Sequence, residues 1–327
     1  MSNQKGSPAL WTPAPDDFGP TVDHLHRLGQ IAGKYTLDQV YEPNWGNIVL
    51  DVTGRGFATP TLRRSDVIFR VEYLLLDDLV TIVANTGTTT LPLAEGSVAG
   101  FYSNFATAAG SLGIPPPGST LEPEIADAPH FDADTEHRPY DPAAAQWVAS
   151  ALAGASAALT KWQAPYRGHR PRVGIMWGGF DLSATRYNGQ PIEPPATSPM
   201  FQRNGMTEAV VAVGFVLGDS STHPYFYAYV SPEPGGFADT DLAIDGAAYF
   251  PEEGLAKLPW DVAISSADPE TTVVQFADAV WRAAVELGGW DAALVLPRRD
   301  GWYASQHSMF GSSVEPRKDR LAVPRQL

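Results

Sequence analysis

Apolar residues in this chain come in short runs, and the runs recur in one order. A helical stretch, several strand-like runs and a second helical stretch precede the break Pro115-Pro116-Pro117-Gly118, and the same order follows it. Val22, Leu25, Leu28 and Ile31 repeat at helical spacing behind Asp16 and Asp17, which offer caps, and Gly33 gives a stop. A helix is expected over 16–33. Strands are expected over 47–53, 66–76 and 79–85. In the second of these, Val67, Phe69, Val71 and Tyr73 alternate with Ile68, Arg70 and Glu72, as a half-buried strand requires. Asp77 and Asp78 turn a hairpin between the last two, without the usual glycine. A helix over 96–112 completes the set.

After the break, Asp141 and Pro142 supply a cap and a first-turn proline for a helix running to about Trp162. Strands are expected at 172–178, 208–216 and 224–230, and a helix from Pro269 to Leu287. Leu258-Pro259-Trp260 stands where Leu91-Pro92-Leu93 stood. The expected fold class is α+β, built by internal duplication of a helix–antiparallel strands–helix unit. Two sheets related by a pseudo-twofold would each be covered by helices on one face. The units are 1–118 and 119–296, followed by a basic C-terminal tail, 297–327. Two Pro- and Gly-rich loops of the second unit, 188–207 and 231–257, are expected to roof a pocket.

Composition narrows the chemistry. The chain has no cysteine, which removes thiol nucleophiles, thiolate metal sites and disulfides. Its net charge of −15 repels phosphate backbones, so nucleic acid is not an expected partner. The first residues hold no apolar signal segment, and 143–160 is too rich in alanine and serine to span a bilayer. A cytoplasmic protein with no membrane contact is expected. The tail sets Arg298, Arg299, Arg317, Lys318, Arg320 and Arg325 against Asp300, Glu315 and Asp319, a basic end on an acidic body. It could join two copies into a homodimer. No dinucleotide fingerprint, P-loop, H-E-x-x-H or G-x-S-x-G is present, and no cofactor is expected.

The densest polar run, HFDADTEHRPYD at 130–141, places carboxylates beside His137, an arrangement suited to acid–base work. A solvated, helix-capping loop is the other reading of the same run. On the first helix Asp23, His26 and Gln30 share a face. Glu208 opens an apolar strand, where burial would fit it for proton transfer. Tyr225, Tyr227 and Tyr229 share one strand face and offer an aromatic wall. Trp177, Asp181 and Arg186 gather near a strand end, and Glu233 stands in a proline-stiffened loop.

These motifs together carry a resemblance. QIAGK after His26, FDADTEHRPYDP, WGGFDLSATRYNG, YAYVSPEPGGF and ELGGW make the chain similar, over about 20–290, to the bacterial family catalogued as domain of unknown function number 5996. It departs from that pattern at Leu28, where the family has Trp, and at Thr207, where it has His. The resemblance brings no activity. It implies that His26, Gln30, Asp132, His137, Tyr140, Trp177, Asp181, Arg186, Glu208 and Glu233 occupy motif positions.

The leading expectation is an enzyme acting on a small molecule by isomerisation, cyclisation or hydrolysis. His137 would be the acid or base, Glu208 the opposing carboxylate, and His26 and Asp132 would orient them. Gln30, Tyr140, Trp177, Asp181, Arg186, Tyr227 and Glu233 would bind the substrate. One alternative is a metal enzyme using His26, His137 and Glu208 as ligands. Another is a small-molecule-binding protein without catalysis.

Overall fold

The backbone pairs its strands entirely in antiparallel fashion among the described residues. The computed structural model describes residues 9–194 and 196–296, so the basic tail expected over 297–327 lies outside the described residues.

The first half contains α1 (Gly19–Gly33), β1 (Val49–Thr53), β2 (Gly56–Ala58), β3 (Leu62–Arg64), β4 (Val67–Leu74), β5 (Leu79–Ala84), β6 (Gly87–Pro92) and α2 (Val98–Ser111). The second contains α3 (Pro142–Gln163), β7 (Gly174–Met176), β8 (Asp181–Pro191), α4 (Met200–Gly205), β9 (Glu208–Val216) and β10 (Tyr225–Ser231). It ends with β11 (Ala248–Phe250), β12 (Leu255–Pro259), α5 (Trp260–Ser265) and α6 (Pro269–Glu286). The strands run in the order β11-β12-β10-β9-β8-β7-β1-β2-β4-β5-β6, with β3 beside β4. Two separate sheets were expected; instead β1 pairs β7 through Val49–Met176 and Leu50–Ile175, and the hydrogen-bonded path is continuous.

The helices α1, α3 and α6 gather on one side of this sheet. Helix α3 packs against β1, β2, β8 and β9 as well as α1 and α6, so both halves share one core. Its alanines let neighbours approach closely, while Trp147 and Trp162 fill the space between elements. Asp141 accepts from the Ala143 N–H and Pro142 sits in the first turn, as the sequence requires. Helix α6 is capped in the same way by Asp268, which accepts from the Thr271 N–H.

The start of α1 corrects the expectation. The helix begins at Gly19 with Phe18 as its uncapped neighbour, and neither Asp16 nor Asp17 caps it. A Cβ on Gly19 would lie 2.5 Å from the Ser220 nitrogen, so close packing against that loop sets the boundary. Six of the described strands escaped the sequence reading: the short β2, β3, β11 and β12, and the longer β6 and β8. β6 is an exposed, threonine-rich edge where Pro92 costs no ladder bond. β8 alternates polar and apolar residues over a segment for which no strand was expected, and its end runs into the loop expected over 188–207.

Candidate active site

The alternation in β8 gives it two working faces. Leu182, Ala184 and Arg186 point to the helices, where the Arg186 guanidinium lies 3.8 Å from the Trp162 ring centre and 5.0 Å from that of Trp281. Asp181, Ser183, Thr185 and Tyr187 point the other way and line a pocket of about 270 Å³. The short turn Pro43–Ile48 and helix α4 wall it. Trp45 Nε1 donates to the Phe201 carbonyl at 2.6 Å, and the Tyr41 hydroxyl donates to the Asn204 carbonyl at 3.0 Å.

At one end of this pocket the Tyr227 hydroxyl donates to Asp181 Oδ2 at 2.5 Å. Tyr227 is on β10 and Asp181 on β8, so the phenol must cross β9. It does so over Gly214, where a Cβ would lie 2.2 Å from the Tyr227 ring and 2.4 Å from the Leu182 carbonyl oxygen. The glycine inside an otherwise apolar strand is thus required by the aromatic crossing. Tyr229 stacks beside Tyr227, with ring centres 6.3 Å apart.

Glu124 completes this end. The residue is exposed, but its carboxylate turns onto the Gly178–Gly179 backbone. A Cβ on Gly178 would lie 2.2 Å from Glu124 Oε1. A Cβ on Gly179 would lie 3.0 Å from Asp181 Oδ1 and 3.4 Å from Glu124 Oε2, so both carboxylates approach one point on this backbone. Withdrawal from water raises the Asp181 carboxyl above its ordinary range, against the lowering effect of the Tyr227 hydrogen bond. Glu124 is raised by desolvation and then by the negative charge of Asp181. The Tyr227 phenol is held far above its ordinary value by burial and the same charge, so it donates and stays neutral.

Two predicted residues brace this turn from behind. His26 Nε2 lies 2.6 Å from the Gly178 carbonyl oxygen, and its ring stacks on Phe180 at 5.4 Å. Burial lowers the His26 pKa to about 4, so the neutral ring donates to Gly178. Gln30 Nε2 donates to the carbonyl of Pro123, the residue before Glu124, at 3.3 Å and to the Gly178 carbonyl at 3.4 Å. His26 and Gln30 therefore hold the two backbone segments that carry the carboxylates.

Backbone strain collects here. Asn44, Trp45 and Glu124 line the pocket with φ of 56°, 60° and 65°, and Phe180, next to Asp181, has φ of 56°. Non-glycine residues in this region cost on the order of 1–3 kcal/mol each and persist only where surroundings enforce them, commonly at functional sites.

The remaining candidates fall elsewhere. Glu208 shares the pocket face of its strand but sits at the other end. It pairs with Pro191, whereas Asp181 pairs with Val216, and eight residues of strand separate the two by roughly 26 Å. Its partners are Asn44, which donates at 3.1 Å, and His169 Nδ1 at 3.4 Å. His137 and Asp132 are exposed. The acids around them serve structure. Arg138 pairs with Asp134 and Glu136, each at 2.9 Å, and Arg27 pairs with the buried Glu122 at 2.6 Å. Tyr140 donates to Asp78 at 2.8 Å and fastens the β4–β5 turn. Trp177 is buried under Gly33 and donates to Thr36. Glu233 is exposed and accepts from Tyr249. Arg186 faces the helices rather than the pocket.

Among the described residues no group of three His, Asp or Glu stands close enough to share a metal ion. The expected trio of His26, His137 and Glu208 is therefore not assembled: His26 is bound to Gly178, His137 lies on the surface and Glu208 pairs with His169. Asp181, Tyr227, His26 and Gln30 do converge. Glu124, Asn44, Trp45 and His169 were missed. Glu124 sits in a connecting segment without periodicity, and only Gly178-Gly179 hinted that something approaches that backbone closely.

The model of a family of unknown function, DUF5996, matches residues 12–296. The chain belongs to that family. No curated protein and no solved structure matches it.

Proposed function

We propose that the protein is a small-molecule enzyme working by general acid–base chemistry in the pocket over β8. Asp181 is the acid–base residue, and Glu124, open to solvent, exchanges protons with it or acts on the opposite side of the substrate. Tyr227 holds Asp181 and offers its hydroxyl to a developing negative charge. His26 and Gln30 are positioning residues. The observation that carries this reading is the approach of two carboxylates, both with raised pKa, to one glycine backbone in an aromatic-walled pocket. Isomerisation, cyclisation or hydrolysis all suit such a pair.

The test is a mixture of small metabolites incubated with the protein and with D181N and E124Q, followed by mass spectrometry. A compound consumed by the unaltered protein and spared by folded D181N supports the assignment. Equal consumption by D181N, or no consumption at all, overturns it.

We also infer that the two halves arose by duplication. The orders β1-β2-β4-β5-β6 and β7-β8-β9-β10-β12 leave the central β1–β7 pair in opposite directions with matching connectivity, which supports a pseudo-twofold through that pair. Rigid-body superposition of the two five-strand units tests this; a match no better than between unrelated antiparallel sheets overturns it.

A further inference from the structure

We infer that the pocket over β8 takes a small organic cation with an apolar tail, a primary or methylated amine, its charged head held by Asp181 and Glu124. This rests on the pocket proposed above and names the class of its ligand.

Charge inventory is the first ground. The charged residues lining the pocket are Glu124, Asp181 and Arg172. Arg172 is already answered: its Nε donates to Asp51 Oδ1 at 2.9 Å and another nitrogen donates to the Val49 carbonyl. The two carboxylates face the pocket with no cationic partner among its other lining residues. Asp181 accepts from a neutral phenol, and the Glu124 carboxylate lies against the Gly178–Gly179 backbone. A carboxylate or phosphate ligand would meet like charge here, which is a strong rejection. An ammonium would complete the set.

Wall chemistry is the second. Tyr227 and Tyr229 stand beside Asp181 with rings nearly parallel, 11° apart, and cation–π attraction strengthens where water is excluded. Further along, Trp45, Phe201 and Met206 supply apolar surface for a tail. The whole chain carries −15, which concentrates cations around the cleft.

Isothermal titration of the full chain with benzylamine, trimethylbenzylammonium, benzyl alcohol and benzoate decides the matter. The expected result is that benzylamine, as its ammonium form, binds about tenfold or more tightly than benzyl alcohol and benzoate, and that D181N loses this advantage while binding benzyl alcohol as before. Trimethylbenzylammonium binding as well as benzylamine assigns the methylated class; weaker binding assigns the primary amine. Benzoate binding as tightly as benzylamine, no binding by either cation, or an unchanged cation preference in D181N overturns the inference. The ligand series on the unaltered protein stands without any variant folding. Cation binding at Asp181 with no turnover of any metabolite would retain this inference and remove the acid–base enzyme. Turnover of an anionic compound would do the reverse.

Discussion

His26 offers a measurement that needs no substrate. Its imidazole is held neutral by burial, with a pKa lowered from the ordinary 6.5 to about 4. In the unfolded chain the ring takes a proton as pH falls through 6.5; in the folded chain it does not until about 4. The unfolded state therefore binds more protons between these values, and the folded state loses stability as pH falls across this window. Two and a half pH units at about 1.36 kcal/mol each amount to about 3 kcal/mol. The loss is absent above pH 6.5 and complete below about 4. His24 is buried and lowered in the same direction, so the unaltered protein alone does not isolate the effect. The difference between it and H26Q does, because Gln can still donate to the Gly178 carbonyl but does not titrate. Urea unfolding at a series of pH values should show H26Q gaining about 3 kcal/mol on the unaltered protein between pH 6.5 and 4. A flat difference would refute a neutral His26 bonded to Gly178, and with it the positioning role.

Other consequences follow from the same geometry. The raised Asp181 carboxyl predicts the opposite sign: the folded state keeps its proton longer than the unfolded state, so stability falls as pH rises through the raised pKa, and D181N should lack this fall in the same urea series. G178A keeps an allowed backbone but displaces the end of the Glu124 side chain, so it should fold and lose benzylamine affinity by about tenfold, read by titration. G214A meets the Leu182 carbonyl as well as the Tyr227 ring and should cost roughly 1–3 kcal/mol by overpacking, read as a lower urea midpoint. D134A removes the buried partner of Arg138, which keeps its bond to Glu136, and should cost roughly 1.5–3 kcal/mol, whereas H137Q on the surface should stay within about 0.5 kcal/mol and leave ligand binding unchanged.

Local patterns were legible where one segment decides its own structure. The strand over 208–216, the cap Asp141 and the tyrosine face of β10 follow from alternation, side-chain oxygens and backbone geometry within a few residues. β8 was hidden because its polar residues face a pocket rather than bulk water and its last residues run into the loop expected over 188–207. The continuous sheet was hidden because β1 and β7 meet through only two residue pairs.

By itself, then, the sequence determined helices α1, α2, α3 and α6, strands β1, β4, β5, β7, β9 and β10, the antiparallel class, the acidic character, and Asp181, Tyr227, His26 and Gln30 as candidates. Tertiary structure decided which of these meet. A strand face has no depth until another segment covers it, and a carboxylate has no shifted pKa until packing removes its water. That is why Asp181 found Glu124 from a patternless connector, while His137, in the most suggestive run of the chain, was left on the surface with its acidic neighbours spent on Arg27 and Arg138.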